Sequence, residues 1–291
     1  MSMTLIFRRL IRMTLLILVL VPLAISVMLY WFQDNMIFFP APLADDRRTA
    51  LERHWPDSEI NLIMKDGTEL HGWYVKPNPP TQPPYPLVIY FGGNAEEVSA
   101  MLPEISRLPN HAFLLLNYRG YGLSRGRPGE EALYQDALEI YDQFTARADI
   151  DRYYTLAMGR SLGSGVAVHL ASQRQLRGVI LVSPYDSVLD VAQQAYPWLP
   201  VSLLLRHRFD SLSKAPTIEI PMLALTAVKD RVIPPMHSRR LIDAWGGVIY
   251  QTELQNVGHN TIQDHAQYWL VIRAFTEMLT APEGSNNAGD I

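Results

Sequence analysis

The chain has 291 residues, with 48% hydrophobic and 19% charged side chains, a formal net charge of −4 and no cysteine. That balance, with no long basic run beyond the N-terminus, recommends no nucleic-acid partner. The missing thiols exclude disulfides, thiolate metal sites and a cysteine nucleophile. They leave open whether the compartment is oxidising or reducing.

Residues 13–32 (MTLLILVLVPLAISVMLYWF) carry no charge. As a helix they span about 30 Å, the thickness of a bilayer's hydrocarbon core. Arg8, Arg9 and Arg12 precede the run, whereas the next basic residues, Arg47 and Arg48, stand among Asp34, Asp45 and Asp46. The positive-inside rule therefore predicts a single-pass protein of a bacterial-type inner membrane, with a cytoplasmic N-terminus (1–12) and an extracytoplasmic main domain. Tyr30, Trp31 and Phe32 form an aromatic belt at the far interface. A cleaved signal peptide is the rival reading, and Ala24 and Ser26 are small enough for it. Its apolar region is only about 7–15 residues long, however, and here apolar residues run on to Phe32, which favours an uncleaved anchor.

A polar linker is expected over 33–57 and one α/β domain over 58–280, because about 250 residues suit one large domain better than two small ones. Residues 60–64 and 68–75 read as two strands about a Lys65-Asp66-Gly67 turn. The proline-rich stretch 76–86 is a loop. The short apolar runs 87–91 (LVIYF), 113–116 (FLLL), 154–158 (YTLAM), 179–182 (VILV) and 222–226 (MLALT) suit strands buried on both faces, with 248–254 as a more mixed candidate. Helical patterns fall between them at 130–146, 163–173, 235–245 and 261–279. The first of these sets Leu133, Ala137, Ile140 and Phe144 on one face. Strand and helix alternate, which predicts a mostly parallel central sheet flanked by helices. Residues 185–218, with the run AYPWLPVSLLL, break the alternation; they form either an inserted cap or lid or a segment packed on the sheet edge. The polar tail 281–291 is expected to be disordered.

The sharpest chemical signal is Gly159-Arg160-Ser161-Leu162-Gly163, a G-x-S-x-G pentapeptide between a buried strand and a helix of small residues. Such a serine sits on a tight, strained turn, with the free N–H groups of the following helix facing the place where negative charge develops. A serine hydroxyl needs a base, and the base an orienting carboxylate, in the chain order Ser, Asp, His for this kind of fold. Asp230 follows the MLALT strand and His259 follows the last strand, so both stand where sites gather in open α/β sheets. Alone, either residue would read as an ordinary turn or surface residue; the ordered conjunction favours the catalytic role. Asp186, in SPYDS, is the runner-up acid. An oxyanion hole needs two preorganised N–H donors: Leu162, and one from the loop Gly92-Gly93-Asn94-Ala95.

Together, YFGGNAEE, LNYRGYGLSRGRP, GRSLGSGVA, SPYDS, KDRVIPP and VGHN resemble the α/β-hydrolase superfamily over about residues 60–279. They are most similar to the branch of N-terminally membrane-anchored serine hydrolases grouped with prolyl-oligopeptidase-like enzymes, and 33–40 (QDNMIFFP) resembles that branch too. The resemblance implies Ser161 as nucleophile, Asp230 as acid, His259 as base, and Asn94 and Leu162 as oxyanion donors. One departure is Gly92, which stands where the branch usually carries histidine. Arg119 and Tyr121 are expected to shape the loop beside the site. The implied activity is cleavage of a carboxylic ester or thioester through an acyl-enzyme. The alternatives are a peptidase or amidase of the same fold, or a non-catalytic membrane-anchored binding protein. No cofactor or metal is expected, and the expected partners are the membrane and a small-molecule or lipid-like acyl substrate.

Overall fold

The computed structural model describes residues 3–78 and 80–280; the expected disordered tail at 281–291 lies outside the described residues. Helix α1 (Met3–Ile37) runs through Pro22 without a break in its helical assignment. Its segment Phe7–Ile37 is long and apolar enough to cross a membrane. The stretch expected as a linker is partly helical: its first residues complete α1, and α2 (Asp45–His54) follows. Asp45 and Asp46 in the first turn and Arg53 and His54 in the last match the helix dipole. Leu43 and Leu51 anchor this region in the core.

Eight strands form one sheet: β1 (Glu59–Ile63), β2 (Glu69–Val75), β3 (Tyr85–Phe91), β4 (Ala112–Leu116), β5 (Ile150–Arg160), β6 (Gly178–Val182), β7 (Met222–Ala227) and β8 (Ile249–Leu254), in the spatial order β1-β2-β4-β3-β5-β6-β7-β8. β1 and β2 pair antiparallel, as do β2 and β4; the other pairs are parallel. Gly67, at φ +83, makes the predicted hairpin turn, and Met64 N–H donates to Thr68 O across it at 2.9 Å.

The apolar runs are central because both their faces are covered. Leu87, Ile89 and Phe91 of β3 belong to the cluster that includes α3 (Glu130–Thr145) and α4 (Leu162–Gln173), while Val88 and Tyr90 join the opposite cluster with α8 (Gln267–Thr280). The helical pattern read over 261–279 is interrupted: a 3-10 turn at Ile262–Asp264 precedes α8, with His265 extended between them. The break lets Ile262 and Tyr268 both bury in the same core cluster. Segment 185–218 lies between β6 and β7 and contains α5 (Val188–Ala195) and α6 (Val201–Leu204). Residues of both helices line a cavity together with Ser161. Helix α7 (Pro235–Asp243) follows β7.

The parallel register aligns the strand ends. Phe91 of β3 pairs with Gly159 of β5, and Gly159 with Leu181 of β6. Loops following β3, β5, β7 and β8 therefore meet at one edge, where ligands bind in open α/β sheets.

Candidate active site

The G-x-S-x-G segment turns from β5 into α4 at Ser161, whose backbone is φ 49, ψ −118. That is a sparsely populated conformation for a residue with a side chain, held because the surroundings over-determine it. Ser161 N–H donates to Val182 O at 2.9 Å, and Ser164 Oγ donates to Ser161 O at 2.7 Å. Gly159 and Gly163 permit the turn: a Cβ on Gly163 would collide with the carbonyls of Phe91 and Gly92, and one on Gly159 with the backbone of Gly163.

The structure brings together the three residues that the sequence singles out. His259 Nε2 lies 2.9 Å from Ser161 Oγ, and His259 Nδ1 lies 2.8 Å from Asp230 Oδ2. The ionised carboxylate accepts from Nδ1–H, so Nε2 is assigned as the acceptor from the serine hydroxyl. Asp230 Oδ1 accepts from Val232 N–H at 2.9 Å and Ile233 N–H at 2.8 Å, which fixes the carboxylate plane. Burial pushes the Asp230 carboxyl up, but the His259 hydrogen bond and charge, with the Ile233 amide, outweigh it and hold the group below the usual carboxylate range. All three side chains are largely buried.

Asp186 does not compete for His259. Its carboxylate accepts from His237 Nδ1 at 2.8 Å, from Ser187 N–H at 2.7 Å and from Arg240 Nη1 at 3.2 Å. The far nitrogen of His237 reaches Gln194 Oε1 on α5, so this buried group joins α7 to the cover.

Asn94 and Leu162 line the same cavity as Ser161. Their backbone N–H groups have no hydrogen-bond partner among the described residues, as orphan donors aimed at a ligand would require. The Asn94 side chain is committed elsewhere: Nδ2 donates to Ile37 O at 2.6 Å, and Oδ1 accepts from Phe39 N–H at 3.0 Å and Tyr121 Oη at 2.8 Å. Tyr121 thus braces the loop as expected. Arg119 does not reach that loop: it makes a bidentate pair with Asp136 of α3 at 2.8 and 2.7 Å and a bond to Asp66 of the β1–β2 turn at 2.6 Å.

Sequence reasoning missed Glu96 and Arg160. Glu96 Oε2 accepts from Gly93 N–H at 2.8 Å and from Arg160 Nη1 at 3.0 Å, while Oε1 accepts from Tyr90 Oη at 2.7 Å. Arg160 Nη2 also approaches His259 O at 3.4 Å. The residue before the serine therefore ties the Gly92–Gly93 turn to the histidine loop. The available signal was an acidic residue shortly after the glycines and an arginine inside the elbow.

No protein-family model matches the chain. Among curated proteins it is 30% identical over 235 residues to the uncharacterized protein Rv2307c of Mycobacterium tuberculosis, covering 80% of this chain and 83% of that one. It is 27% identical over 238 residues to the alpha/beta hydrolase domain-containing protein WAV2 of Arabidopsis thaliana, covering 72% and 74% of the two chains. It is also 29% identical over 265 residues to the uncharacterized membrane protein YNL320W of Saccharomyces cerevisiae, covering 86% and 91%. Among solved structures, the acetyl xylan esterase from Paenibacillus sp. R4 superposes with a TM-score of 0.63 at 19% identity, covering 85% of this chain and 98% of that one. An alpha-beta hydrolase from Vibrio vulnificus superposes with a TM-score of 0.64 at 19% identity, covering 85% and 91%. The chain belongs to the α/β-hydrolase superfamily.

Proposed function

We propose that the protein is a serine hydrolase that cleaves a carboxylic ester or thioester, tethered by α1 to a membrane with its hydrolase domain on the extracytoplasmic side. The observation that carries this reading is the unbroken hydrogen-bonded chain Ser161 Oγ–His259–Asp230, with distances of 2.9 and 2.8 Å. The esterase fold of its structural neighbour supports the reaction class, and the yeast relative described as a membrane protein supports the tether. Arg8, Arg9 and Arg12 before the apolar run support the orientation. Within the superfamily, the membrane-anchored, prolyl-oligopeptidase-like branch is the reading that the sequence motifs favour.

In this mechanism Ser161 Oγ bonds to the substrate's carbonyl carbon and passes its proton to His259 Nε2. Asp230 holds the imidazole and stabilises its charged form. The oxyanion forms against the N–H groups of Leu162 and Asn94. Collapse breaks the bond to the alcohol or thiol, which leaves with the proton from His259, and an acyl-Ser161 remains. Water then attacks the acyl carbon and gives its proton to His259. The carboxylic acid departs and Ser161 regains its proton.

Labelling of the full-length protein in membranes with a fluorophosphonate tests the proposal. Wild type is expected to label, Ser161→Ala to lose labelling, and His259→Ala to slow it severely. A folded wild-type protein that does not label would remove the hydrolase reading and leave a non-catalytic binding protein of this fold.

A further inference from the structure

We propose that α1 forms one wall of an acyl-binding groove, and that the substrate is a neutral long-chain acyl ester whose chain enters from the bilayer holding that helix. This rests on the reading of Ser161 as a hydrolytic nucleophile.

Ser161 opens into a cavity of about 590 Å³ whose lining combines the site, the α5–α6 cover and α1. Ile25, Leu29, Gln33 and Met36 contribute from α1. At about 3.6 residues per turn they form one stripe along the helix. The opposite side of α1 faces outward, with Val27 and Trp31 exposed. From Ile25 to Ile37 the wall is about 18 Å long, at about 1.5 Å per residue. One leaflet of the hydrocarbon core is about 15 Å deep, so the groove matches the reach of a membrane lipid's acyl chain. Its lower residues, Ile25 and Leu29, belong to the charge-free run expected within the bilayer.

Polar bonds hold this wall in place at two levels. At the site end, Asn94 Nδ2 donates to Ile37 O at 2.6 Å. Lower down, Gln33 is buried and donates to Leu204 O at 3.0 Å while accepting from Arg206 N–H at 2.7 Å. Asp34 Oδ1 receives Arg206 Nη2 at 2.6 Å and lies 3.0 Å from His207 Nε2. A flexible tether would need none of these bonds; a helix that completes a binding site would.

The lining chemistry selects the ligand. Among the described residues no charged side chain lines the cavity, so a carboxylate or phosphate inside it would be desolvated without a counter-ion. An alkyl chain ending in a neutral ester is compatible throughout. Trp198, in the lining, is 70% exposed, and Leu203 of α6 is 82% exposed. Such large apolar side chains are unfavourable in water and favourable at a bilayer surface.

The test uses full-length protein in phosphatidylcholine vesicles and a series of neutral monoacyl glycerol esters from butanoyl to hexadecanoyl. Wild type is expected to favour hexadecanoyl over butanoyl in kcat/KM. Leu29→Trp on α1 and Val191→Trp on the opposite wall are each expected to lower that ratio by about tenfold or more. Val27→Trp, on the outward side of α1, leaves the ratio at its wild-type value. A preference for butanoyl, or a ratio unmoved by both groove variants, overturns the proposal. As a second measurement, a hexadecanoyl ester with a terminal diazirine, carried in the vesicles, is crosslinked to Ser161→Ala protein. Crosslinks at Ile25 and Leu29 that a further Val191→Trp change removes support the groove, and crosslinks there that Val191→Trp leaves unchanged overturn it. Fluorophosphonate labelling separates the two levels: an unlabelled wild type defeats the hydrolase reading, whereas a labelled wild type with an unmoved ratio defeats the groove alone.

Discussion

Arg160 and Glu96 form a 3.0 Å ion pair between the turn that carries Ser161 and the loop after β3. Both side chains are mostly buried, with relative exposures of 15% and 11%. Glu96 passes the restraint to Gly93 N–H, and Arg160 passes it towards His259 O. The pair holds the loop after β3 against the turn at Ser161, and neither residue lines the cavity into which Ser161 opens.

Removal of this restraint should affect the transition state more than substrate binding. For Glu96→Ala we expect kcat to fall by up to about a hundredfold, the scale of a small misplacement of catalytic groups, with little change in KM. Steady-state kinetics on a short-chain ester read the split. A change confined to KM would contradict the positioning role.

Asp230 and Asp186 both stand in loops that follow strands, both touch a histidine, and differ in what that histidine reaches. Asp230→Asn should slow serine labelling by about ten-thousandfold, because the wrong imidazole tautomer then faces Ser161. Asp186→Asn should leave labelling near wild type and lower stability by about 1–3 kcal/mol through its buried bond to His237 and its bond to the half-exposed Arg240. Labelling rates beside denaturant midpoints for the two variants check the assignment, and the reverse pattern would transfer the acid's role to Asp186.

His169 stacks on Tyr134 at 3.8 Å, and neither of its buried nitrogens finds a partner among the described residues. Burial pushes its pKa down to about 4, with Lys214 adding to the effect. In the unfolded chain a histidine titrates near about 6.5, so between about 6.5 and 4 the unfolded state binds the extra proton. The folded state is therefore favoured above about 6.5, and that advantage is lost as the pH falls towards 4. His169→Phe keeps the stack and abolishes the titration. Chemical denaturation should show the variant's gain over wild type growing as the pH falls from 8, largest near pH 4. A gain independent of pH would exclude this titration as its source.

Two truncations probe how far α1 belongs to the domain. Phe38 is 2% exposed and packs edge-on against His207 and Phe209. Removal of residues 1–39 should destabilise the domain relative to removal of 1–32 by about 3–5 kcal/mol for the lost aromatic ring. That corresponds to a drop of about 6 °C or more in Tm. Thermal unfolding in detergent measures the difference, and equal midpoints would show that 33–39 is dispensable for stability.

The sequence by itself determined what local physics fixes. Runs such as LVIYF and VILV are apolar without alternation, and only a strand covered on both faces accommodates them. The elbow was legible because Gly159 and Gly163 are required by contacts a few residues away or at the adjoining strand end. The order of Ser161, Asp230 and His259 placed each at the end of a strand, so their meeting followed from the parallel sheet. Helix α2 went unread although its terminal charges announced it, because its polar composition resembles a linker. The rest depended on pairings between distant parts of the chain. Glu96 and Arg160 are 64 positions apart, and Gln33 meets Leu204 and Arg206 across 171 and 173 positions. Such partners carry no periodicity and no motif. Helix α1 was legible as an apolar helix, since hydrophobicity is a property of its own residues. That one stripe of it closes the cavity over Ser161 was decided by the tertiary structure alone, through the bonds that fix where the helix stands.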